Sequence, residues 1–377
     1  MKVAVVGGGI GGLAVAVGLQ RRGHSVMVFE KDRDADKPGS GLALFGNASR
    51  AAQALGFALP HEQHAFPELT LGHLDSQGRR LSTLPRRTAS HLNVVRRSTL
   101  QHHLLALLES GTVRFGHAAT VATDGKARIH LTGTTNAEVL DFDLVVAADG
   151  INSPSRQKLG LPTRVRHTGY STWRGITSHP VDLRGAAGES WGSRRRFGYL
   201  PLADGCVYWF GVAPSLSTLT DSPREEARAL FGAWHAPISE ILTATHEDSI
   251  SRHGLRQLDV VPDTYVVDRT VLLGDAAHAM LPDLGQGAGQ ALEDAATLVA
   301  LLEQDNGSVG DALSTYDRLR RKRTKQVKRA ANAAAVFAKS EAWGSVLLRN
   351  YSLRLVPNFL LGKVIDRVQA WDADLIP

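Results

Sequence analysis

The 377-residue chain has only one cysteine, Cys206, which excludes an intramolecular disulfide. It has no uninterrupted apolar run of membrane-spanning length. The glycines in its N-terminal segment dilute the apolar stretch that a secretory signal peptide would need. We therefore expect a cytoplasmic protein without integral membrane association. The sequence also has no cluster of metal-ligating residues and no nucleophile paired with a base, so we expect no metal site and no covalent catalysis by a side chain.

Only 6% of the residues are aromatic, whereas 43% are hydrophobic and 21% charged, as in a soluble globular protein. The formal net charge of +6 is unevenly spread, because basic residues crowd between positions 318 and 329. They are Arg318, Arg320, Arg321, Lys322, Arg323, Lys325, Lys328 and Arg329. Residues 312–339 contain strong helix formers and no proline, which predicts a solvated helix. Attraction of anionic cofactors stays open, and nucleic-acid binding is disfavoured because no aromatic residues interleave with the charges.

The N-terminus reads as a strand, a tight turn and a helix. Residues 2–6 form an apolar strand, Gly7, Gly9 and Gly12 fill a G-x-G-x-x-G pattern, and residues 13–22 have helical apolar spacing. In such a turn the first glycine permits the bend, the second lets the backbone approach a pyrophosphate, and the third allows close packing of helix on strand. The free N–H groups at the helix start then face the phosphates of a dinucleotide.

A second predicted strand, residues 25–29, ends at Glu30, eighteen residues after Gly12. A carboxylate at this position can accept both hydroxyls of an adenosine ribose and would repel a 2′-phosphate. NADP is therefore disfavoured at this first site. We include the neighbouring Lys31 among the cofactor-binding candidates.

The dinucleotide is predicted to be FAD because of a second signal near residue 275. A buried strand ends in Gly274-Asp275, and Gly285-Gln286-Gly287 then begins another helix. Asp275 can accept hydrogen bonds from the ribityl chain, and the amides at the helix start can face the N1–C2 carbonyl edge of the flavin. Asp275 could instead only cap the following turn. His278 is expected to be a hydrogen-bonded structural histidine, with a proton shuttle as the alternative.

Together these segments resemble the group A flavoprotein monooxygenases, the family of para-hydroxybenzoate hydroxylase, salicylate hydroxylase, FAD-dependent urate hydroxylase and the tetracycline-modifying monooxygenase. Besides the N-terminal and Gly274-Asp275 motifs, residues 149–156 match the family's D-G-x-x-S-x-x-R element, and Arg97 matches its Arg-x-x-Leu helix start near the flavin. The resemblance implies cofactor-binding roles for Arg97, Asp149 and Gly150, although Asp149-Gly150 could be only a turn.

The family's known chemistry sets the expected function. By resemblance, NADH or NADPH reduces FAD, molecular oxygen forms a flavin C4a-hydroperoxide, and an aromatic or heteroaromatic small molecule is hydroxylated or epoxidised. The absence of a second G-x-G-x-x-G fits transient nicotinamide binding outside a second Rossmann domain. Two alternatives stay open: an FAD-dependent reductase or dehydrogenase that inserts no oxygen, and a non-catalytic flavin-bearing binding protein. A monomer or a homodimer is expected.

Substrate-side candidates follow from the same resemblance. Pro282 aligns with the family proline beside the flavin, and Asp283 stands where the family usually has asparagine. An extra carboxylate there disfavours an anionic substrate unless a cation neutralises it, and Arg174 and the 194–199 segment supply candidates. Strand alternation puts Thr172 with Arg174, and Phe197 with Tyr199, so that either pair could line a pocket or simply pack in a sheet. Pro282, Arg174 and Tyr199 are the catalytic candidates.

The predicted fold class is α/β. We expect a discontinuous Rossmann-like FAD-binding domain formed by residues 1–70, 96–163 and 263–320, with an inserted, mainly β substrate-binding domain of residues 71–95 and 164–262. Residues 321–377 are expected to form C-terminal helices. The apolar tail after Ser345 is interpreted as a helix packed across the body, with a membrane surface anchor as the alternative.

Overall fold

The computed structural model describes residues 1–34, 40–60, 69–86, 91–132, 138–217, 220–304, 308–373 and 376. Its first layer is a six-stranded sheet in the order β17-β18-β11-β1-β2-β7. The strands are β1 (Lys2–Val6), β2 (Ser25–Glu30), β7 (Val113–Phe115), β11 (Leu144–Ala147), β17 (Val266–Val267) and β18 (Thr270–Leu272). All neighbours pair in parallel except β17 with β18. Because parallel strands end at one edge, Gly7, Glu30, Asp149 and Gly274 follow their strands on the same side.

Helices pack on this sheet through small and aliphatic residues. The most extensive helix–helix contacts are those of α8 (Gly287–Leu302) with α1 (Ile10–Gln20) and with α2 (Gly46–Ala54). The other helices before the C-terminal segment are α3 (Arg97–Ala106), α4 (Pro154–Lys158), α5 (Pro223–Phe231), α6 (Ile238–Thr243) and α7 (Asp275–His278). Two 3₁₀ turns span Glu247–Ser249 and Pro282–Leu284.

A seven-stranded sheet forms the second layer, in the order β16-β12-β15-β14-β13-β4-β5. Its strands are β4 (Thr70–Asp75), β5 (Arg80–Thr83), β12 (Arg164–Ile176), β13 (Ala186–Trp191), β14 (Arg196–Pro201), β15 (Val207–Pro214) and β16 (Ser251–Val260). The pairs are antiparallel except β13 with β4. Trp173, Phe197, Trp209 and Phe231 pack on one face of this sheet, which α5 and α6 cover.

Two small sheets complete the strands. A two-stranded sheet pairs β3 (Gly41–Leu44) with β6 (Asn93–Arg96), and a three-stranded sheet contains β8 (Ala118–Val121), β9 (Arg128–Thr132) and β10 (Val139–Asp141). The first of these lies between the two large layers: a Cβ on Gly41 would meet the ring of Tyr208 from the seven-stranded sheet, and Phe45, just after β3, lies beside Gly285.

The C-terminal helices are α9 (Val309–Ala338), α10 (Trp343–Leu355) and α11 (Asn358–Gln369). Ser308 and Asp311 form a capping box at the start of α9. No helix in the described ranges is both long and apolar enough to cross a membrane. The predicted mixed α/β architecture with a parallel sheet and helices at the C-terminus is confirmed. One expectation needs correction: α9 is not solvated all round, because Arg320 is buried.

Candidate active site

The three fingerprint glycines have different surroundings. A Cβ on Gly7 would lie 2.4 Å from the Ala148 carbonyl oxygen, and one on Gly12 would lie 2.0 Å from the Gly7 oxygen. Gly7 also has a φ of +107°, which L side chains rarely adopt. A Cβ on Gly9 would meet nothing within 4 Å. Gly7 and Gly12 therefore hold the turn together, whereas Gly9 borders open space at the start of α1, where a pyrophosphate would lie.

Glu30 is fixed against the same turn. Its carboxylate accepts N–H groups from Gly8 at 2.6 Å and from Asp32 at 2.9 Å. The side chain is half-buried, so a carboxylate with about four lone-pair sites keeps acceptor capacity for ribose hydroxyls. Lys31 lies beside it with an exposed side chain.

The Asp149-Gly150 turn is tied to α7 by Arg156. One oxygen of Asp149 accepts the Ser155 N–H at 2.9 Å, and the other is buried without a partner among the described residues. The guanidinium of Arg156, which is 1% exposed, donates to the carbonyls of Ile151 and Ala276, each at 2.7 Å. The arginine of this motif therefore links two segments that are predicted to bind the cofactor, and the orphan oxygen of Asp149 points to a missing donor.

Asp275 has no hydrogen bond to any residue in the described ranges, and its side chain keeps solvent-accessible area. Surrounding protein nevertheless raises the pKa of Asp275 by desolvation, while His278 and Arg97 oppose that rise. The two observations together describe a carboxylate in a recess that is surrounded by protein but still open to solvent, and the charge of Arg97 acts on it. This arrangement favours a ligand that donates hydrogen bonds over a role as a helix cap, since Gly274 and not Asp275 precedes α7.

Residues 285–287, at the start of α8, also border the recess. Gly285 adopts a left-handed conformation with a φ of +62°, and a Cβ on Gly287 would meet nothing within 4 Å. The Gln286 side chain is 2% exposed and turned inward, where its Oε1 accepts from Asn47 at 3.0 Å. The backbone of this loop, and not the Gln286 amide, is therefore available to a cofactor.

A buried charge network holds both loops from behind. Arg320, 1% exposed, donates to Asp294 at 2.6 Å and to Glu293 at 2.8 Å. Asp294 in turn accepts the Gly274 N–H at 2.8 Å, and Glu293 accepts from Asn47 at 2.7 Å. Arg320 is thereby connected to the residue before Asp275 and, through Asn47, to the Gln286 loop.

The same network holds His278 and affects the pKa values of Glu293 and Asp294. Nε2 of His278 lies 2.6 Å from Asp294, so the expected hydrogen-bonded structural histidine is observed. Burial raises the pKa of Glu293 and of Asp294, but nearby positive charge outweighs it and holds both pKa values below the usual range. The main charge is Arg320 for Glu293, and His278 with Arg320 for Asp294.

These residues fit FAD. Open space at Gly9, Gly150 and Gly287, a carboxylate without a partner at Asp275, and an orphan oxygen at Asp149 lie along one edge of the parallel sheet. A long, flat ligand with a pyrophosphate and several hydroxyl donors would satisfy these groups together. The individual cofactor contacts of the predicted residues remain predictions.

Asp283 follows Pro282 in a 3₁₀ turn between this recess and the seven-stranded sheet. Its carboxylate lies 3.0 Å from Nη2 of Arg196, and the two side chains are 4% and 6% exposed. Arg196 also lies 3.4 Å from Glu189. Burial raises the pKa of Asp283, and Arg196 opposes that rise. The cation expected to neutralise Asp283 is therefore Arg196, from the predicted 194–199 segment, and not Arg174.

Arg174 lies on the same face of the sheet as Arg196. It pairs with Phe210, which also pairs with Gly198, so its face is opposite to that of Trp173. Its Nε is buried without a partner, and no described residue forms a hydrogen bond or ion pair with its guanidinium. Burial, then Arg174, Arg256 and Arg97, lower the pKa of His253. His253 pairs with Thr172 on β12, so it lies on the Arg174 face of the sheet.

Tyr199 is misplaced by the sequence interpretation. It is 1% exposed and shares the face of Phe197, which stacks on Trp209 with ring centroids 5.3 Å apart under α5. Burial raises the pKa of Tyr199 to about 12, as expected for a phenol in a dry core. The strand alternation was right, and of the two alternatives the packing favours the second: the Phe197 and Tyr199 face is the core face, where Tyr199 packs in the sheet. Tyr208 lies on the opposite face of β15, the face of Arg174, and the sequence analysis did not name it.

Comparisons with known proteins agree with this arrangement. Residues 1–331 match the FAD binding domain family. The chain is 33% identical to aurachin C monooxygenase/isomerase of Stigmatella aurantiaca, over 85% of each protein. It is also 33% identical to 3-amino-4-hydroxybenzoate 2-monooxygenase of Streptomyces cremeus, over 89% of this chain and 87% of that protein. The structure of Klebsiella pneumoniae HpxO complexed with FAD and uric acid superposes with a TM-score of 0.86 at 25% identity, covering 98% of this chain and 96% of that one. The chain belongs to the FAD binding domain family and is an FAD-dependent monooxygenase.

Proposed function

We propose that the enzyme hydroxylates a planar aromatic or nitrogen-heteroaromatic compound that presents a hydrogen-bond donor to Asp283 and an anionic or strongly accepting oxygen to Arg174. The buried Arg196–Asp283 pair carries this proposal, because it holds a carboxylate acceptor in a fixed position beside Pro282. Arg174 adds a cation that no described residue neutralises. Bound FAD supplies the oxygen activation, and the protein positions the ring and excludes water.

The substrates named for two similar proteins have this combination of groups. The relative from Streptomyces cremeus is named for 3-amino-4-hydroxybenzoate, which has donors on the ring and a carboxylate. HpxO was crystallised with uric acid, whose ring N–H groups alternate with carbonyl oxygens. Both molecules are flat and polar at their edges, which suits a site with one fixed acceptor and one unpaired guanidinium.

NADH or NADPH is proposed as the reductant, bound transiently, since the sequence has no second dinucleotide fingerprint. Pro282 and Arg174 are the proposed substrate-side residues, and Tyr199 is withdrawn. The division into residues 1–70, 96–163 and 263–320, residues 71–95 and 164–262, and residues 321–377 is kept as a proposal. A cytoplasmic location and a monomeric or homodimeric state are also proposals.

The test follows flavin reduction anaerobically with NADH and with NADPH in the presence of matched ligands. Uric acid and 3-amino-4-hydroxybenzoate supply donor and anion, 2-aminophenol lacks the carboxylate, and benzoate lacks the donor. Ligands with both groups should accelerate reduction, and removal of either group should weaken the acceleration. Equal stimulation by benzoate would contradict the role of Asp283, and equal stimulation by 2-aminophenol would contradict that of Arg174.

A further inference from the structure

The exposed face of α10 is apolar. Trp343, Leu347, Tyr351 and Leu355 recur every four residues, and with Leu348 they are 47% to 80% exposed. The inward face holds Arg349, 2% exposed, whose guanidinium donates to the carbonyls of Gly192 and Ala338. A surface helix normally turns its apolar stripe inward. Leu353 also packs inward, but five large apolar side chains of α10 are left uncovered by the described residues.

Exposed apolar side chains also occur on the two neighbouring helices, α9 and α11. Val336 and Phe337 at the end of α9, and Phe359, Leu360 and Val364 on α11, are 41% to 76% exposed. Ten large side chains that are about half exposed present on the order of 1,000 Å² of apolar area, given roughly 150 to 250 Å² for a whole aromatic side chain. Apolar patches on typical monomers reach roughly 300 to 600 Å². We call residues 336–364 with these ten side chains the C-terminal apolar surface.

The charge of the chain is concentrated around this surface. Residues 318–370 contain thirteen basic and two acidic residues, whereas the rest of the chain has 30 basic and 35 acidic ones. Eight of the thirteen are exposed: Arg318, Arg321, Lys322, Lys325, Arg329, Arg354, Lys363 and Arg367. On α9 the exposed cations form a stripe that leads toward Val336 and Phe337.

We propose that the C-terminal apolar surface binds peripherally to an anionic lipid surface. Apolar and aromatic side chains entering the headgroup boundary beside exposed lysines and arginines are the features of an interfacial helix. A symmetric contact with a second copy would bring two strongly basic segments together, which opposes self-association here. No described helix is long and apolar enough to span a bilayer, so the contact lies in the interface plane.

The location is relevant to the reaction. A narrow pocket with a volume of about 10 Å³ is lined by Asp283, Ala338 and Lys339, directly after Phe337. A lipid surface bound at Phe337 would therefore lie beside a pocket that Asp283 lines. The lipid contact itself rests on the exposed helices and not on the proposed substrate, and it is tested without turnover.

The experiment is a flotation assay, in which the FAD-loaded enzyme is mixed with vesicles of phosphatidylcholine alone or of phosphatidylcholine with phosphatidylglycerol. The wild type should bind the anionic vesicles, and salt should weaken the binding. Trp343→Ser with Leu348→Ser, and separately Arg354→Glu with Lys363→Glu, should each weaken it by about tenfold or more. The matched control combines Val139→Ser and Lys126→Glu, which change an exposed valine and an exposed lysine elsewhere.

FAD content and melting temperature verify that every variant is folded. The proposal is overturned if the wild type binds neither vesicle at low salt, or if the Trp343 and Leu348 variant binds as the wild type does. Sedimentation velocity tests whether a second copy of the chain covers the surface instead of lipid. A concentration-dependent dimer that this variant abolishes, in a protein that binds no vesicles, would assign the surface to a second copy and also overturn the proposal.

Discussion

Nη2 of Arg196 on β14 lies 3.0 Å from the Asp283 carboxylate, and both side chains are almost fully buried. The pair joins the seven-stranded sheet to the Pro282–Leu284 turn, and so links the proposed substrate side to the proposed cofactor side. Removing one partner of such a pair leaves a buried charge without compensation, which is far more costly than replacing both.

The first prediction concerns pH. Burial raises the pKa of Asp283 and Arg196 lowers it. Arg196→Met removes the lowering contribution, so Asp283 should stay protonated to a higher pH. If the ionised carboxylate binds the substrate, the acidic limb of the ligand-affinity profile should move to higher pH in Arg196→Met and disappear in Asp283→Asn. Profiles that coincide with the wild type would separate Asp283 from ligand binding.

Gly9→Val should abolish FAD binding and leave the apoprotein folded. The added side chain has open space in the apoprotein but would occupy the place of the pyrophosphate. Gly12→Ala is the contrasting variant, because its Cβ would lie 2.0 Å from the Gly7 oxygen and should lower the melting temperature of the apoprotein. Tight FAD binding by Gly9→Val would place the pyrophosphate elsewhere.

Asp275→Asn should weaken FAD binding by about 2 kcal/mol, the size of a lost hydrogen bond to a charged group. The folded apoprotein raises the pKa of Asp275, so ionisation of this group opposes folding as the pH rises above its unfolded value. The apo variant should therefore gain stability relative to the wild type from about pH 4 upward. Denaturation of both apoproteins across pH, together with FAD titrations, measures the two effects. Unchanged FAD affinity would return Asp275 to a capping role.

Arg320→Met should destabilise the protein by roughly 3 to 5 kcal/mol at neutral pH and release FAD, because Glu293 and Asp294 would lose their buried cation. Both acids have depressed pKa values in the folded chain. Their stabilising contribution is present above the unfolded pKa values and is lost as the pH falls, so the defect should shrink in acid.

Arg321→Met is the matched control on the same helix. Arg321 is exposed, and among the described residues it pairs only with Asp317, at 3.3 Å, so its loss should change the free energy of unfolding by less than about 0.5 kcal/mol. Equal effects of the two substitutions in urea denaturation would exclude a special role for the buried network.

Local motifs were predictable from the sequence because their residues are neighbours along the chain. The glycine fingerprint, Glu30 and Gly274-Asp275 each depend on one strand and the turn after it. The sequence narrowed the partner of Asp283 to a few arginines but could not choose among them, since only the packing of the Pro282–Leu284 turn on the seven-stranded sheet brings Arg196 to it. Alternation correctly paired Phe197 with Tyr199, but a period of two does not say which face is covered by helices. Arg320 is one of eight basic residues clustered in the sequence, so the sequence predicted that it would be exposed to solvent. The adjacent acids Glu293 and Asp294 in the apolar α8 were the available signal for a buried partner.

The most direct measurement is the recovery of labelled oxygen gas in the product of the ligand that best accelerates reduction. In the wild type, one atom of each oxygen molecule consumed should appear in the product and the other in water. Arg174→Met should retain FAD but release hydrogen peroxide, with product formation reduced by about a hundredfold, because a substrate displaced by about 1 Å misses the reactive geometry. Tyr199→Phe, in the core behind the sheet, should remain coupled. Label arriving only from water would contradict the monooxygenase account, and uncoupling by Tyr199→Phe but not by Arg174→Met would contradict the assigned substrate face.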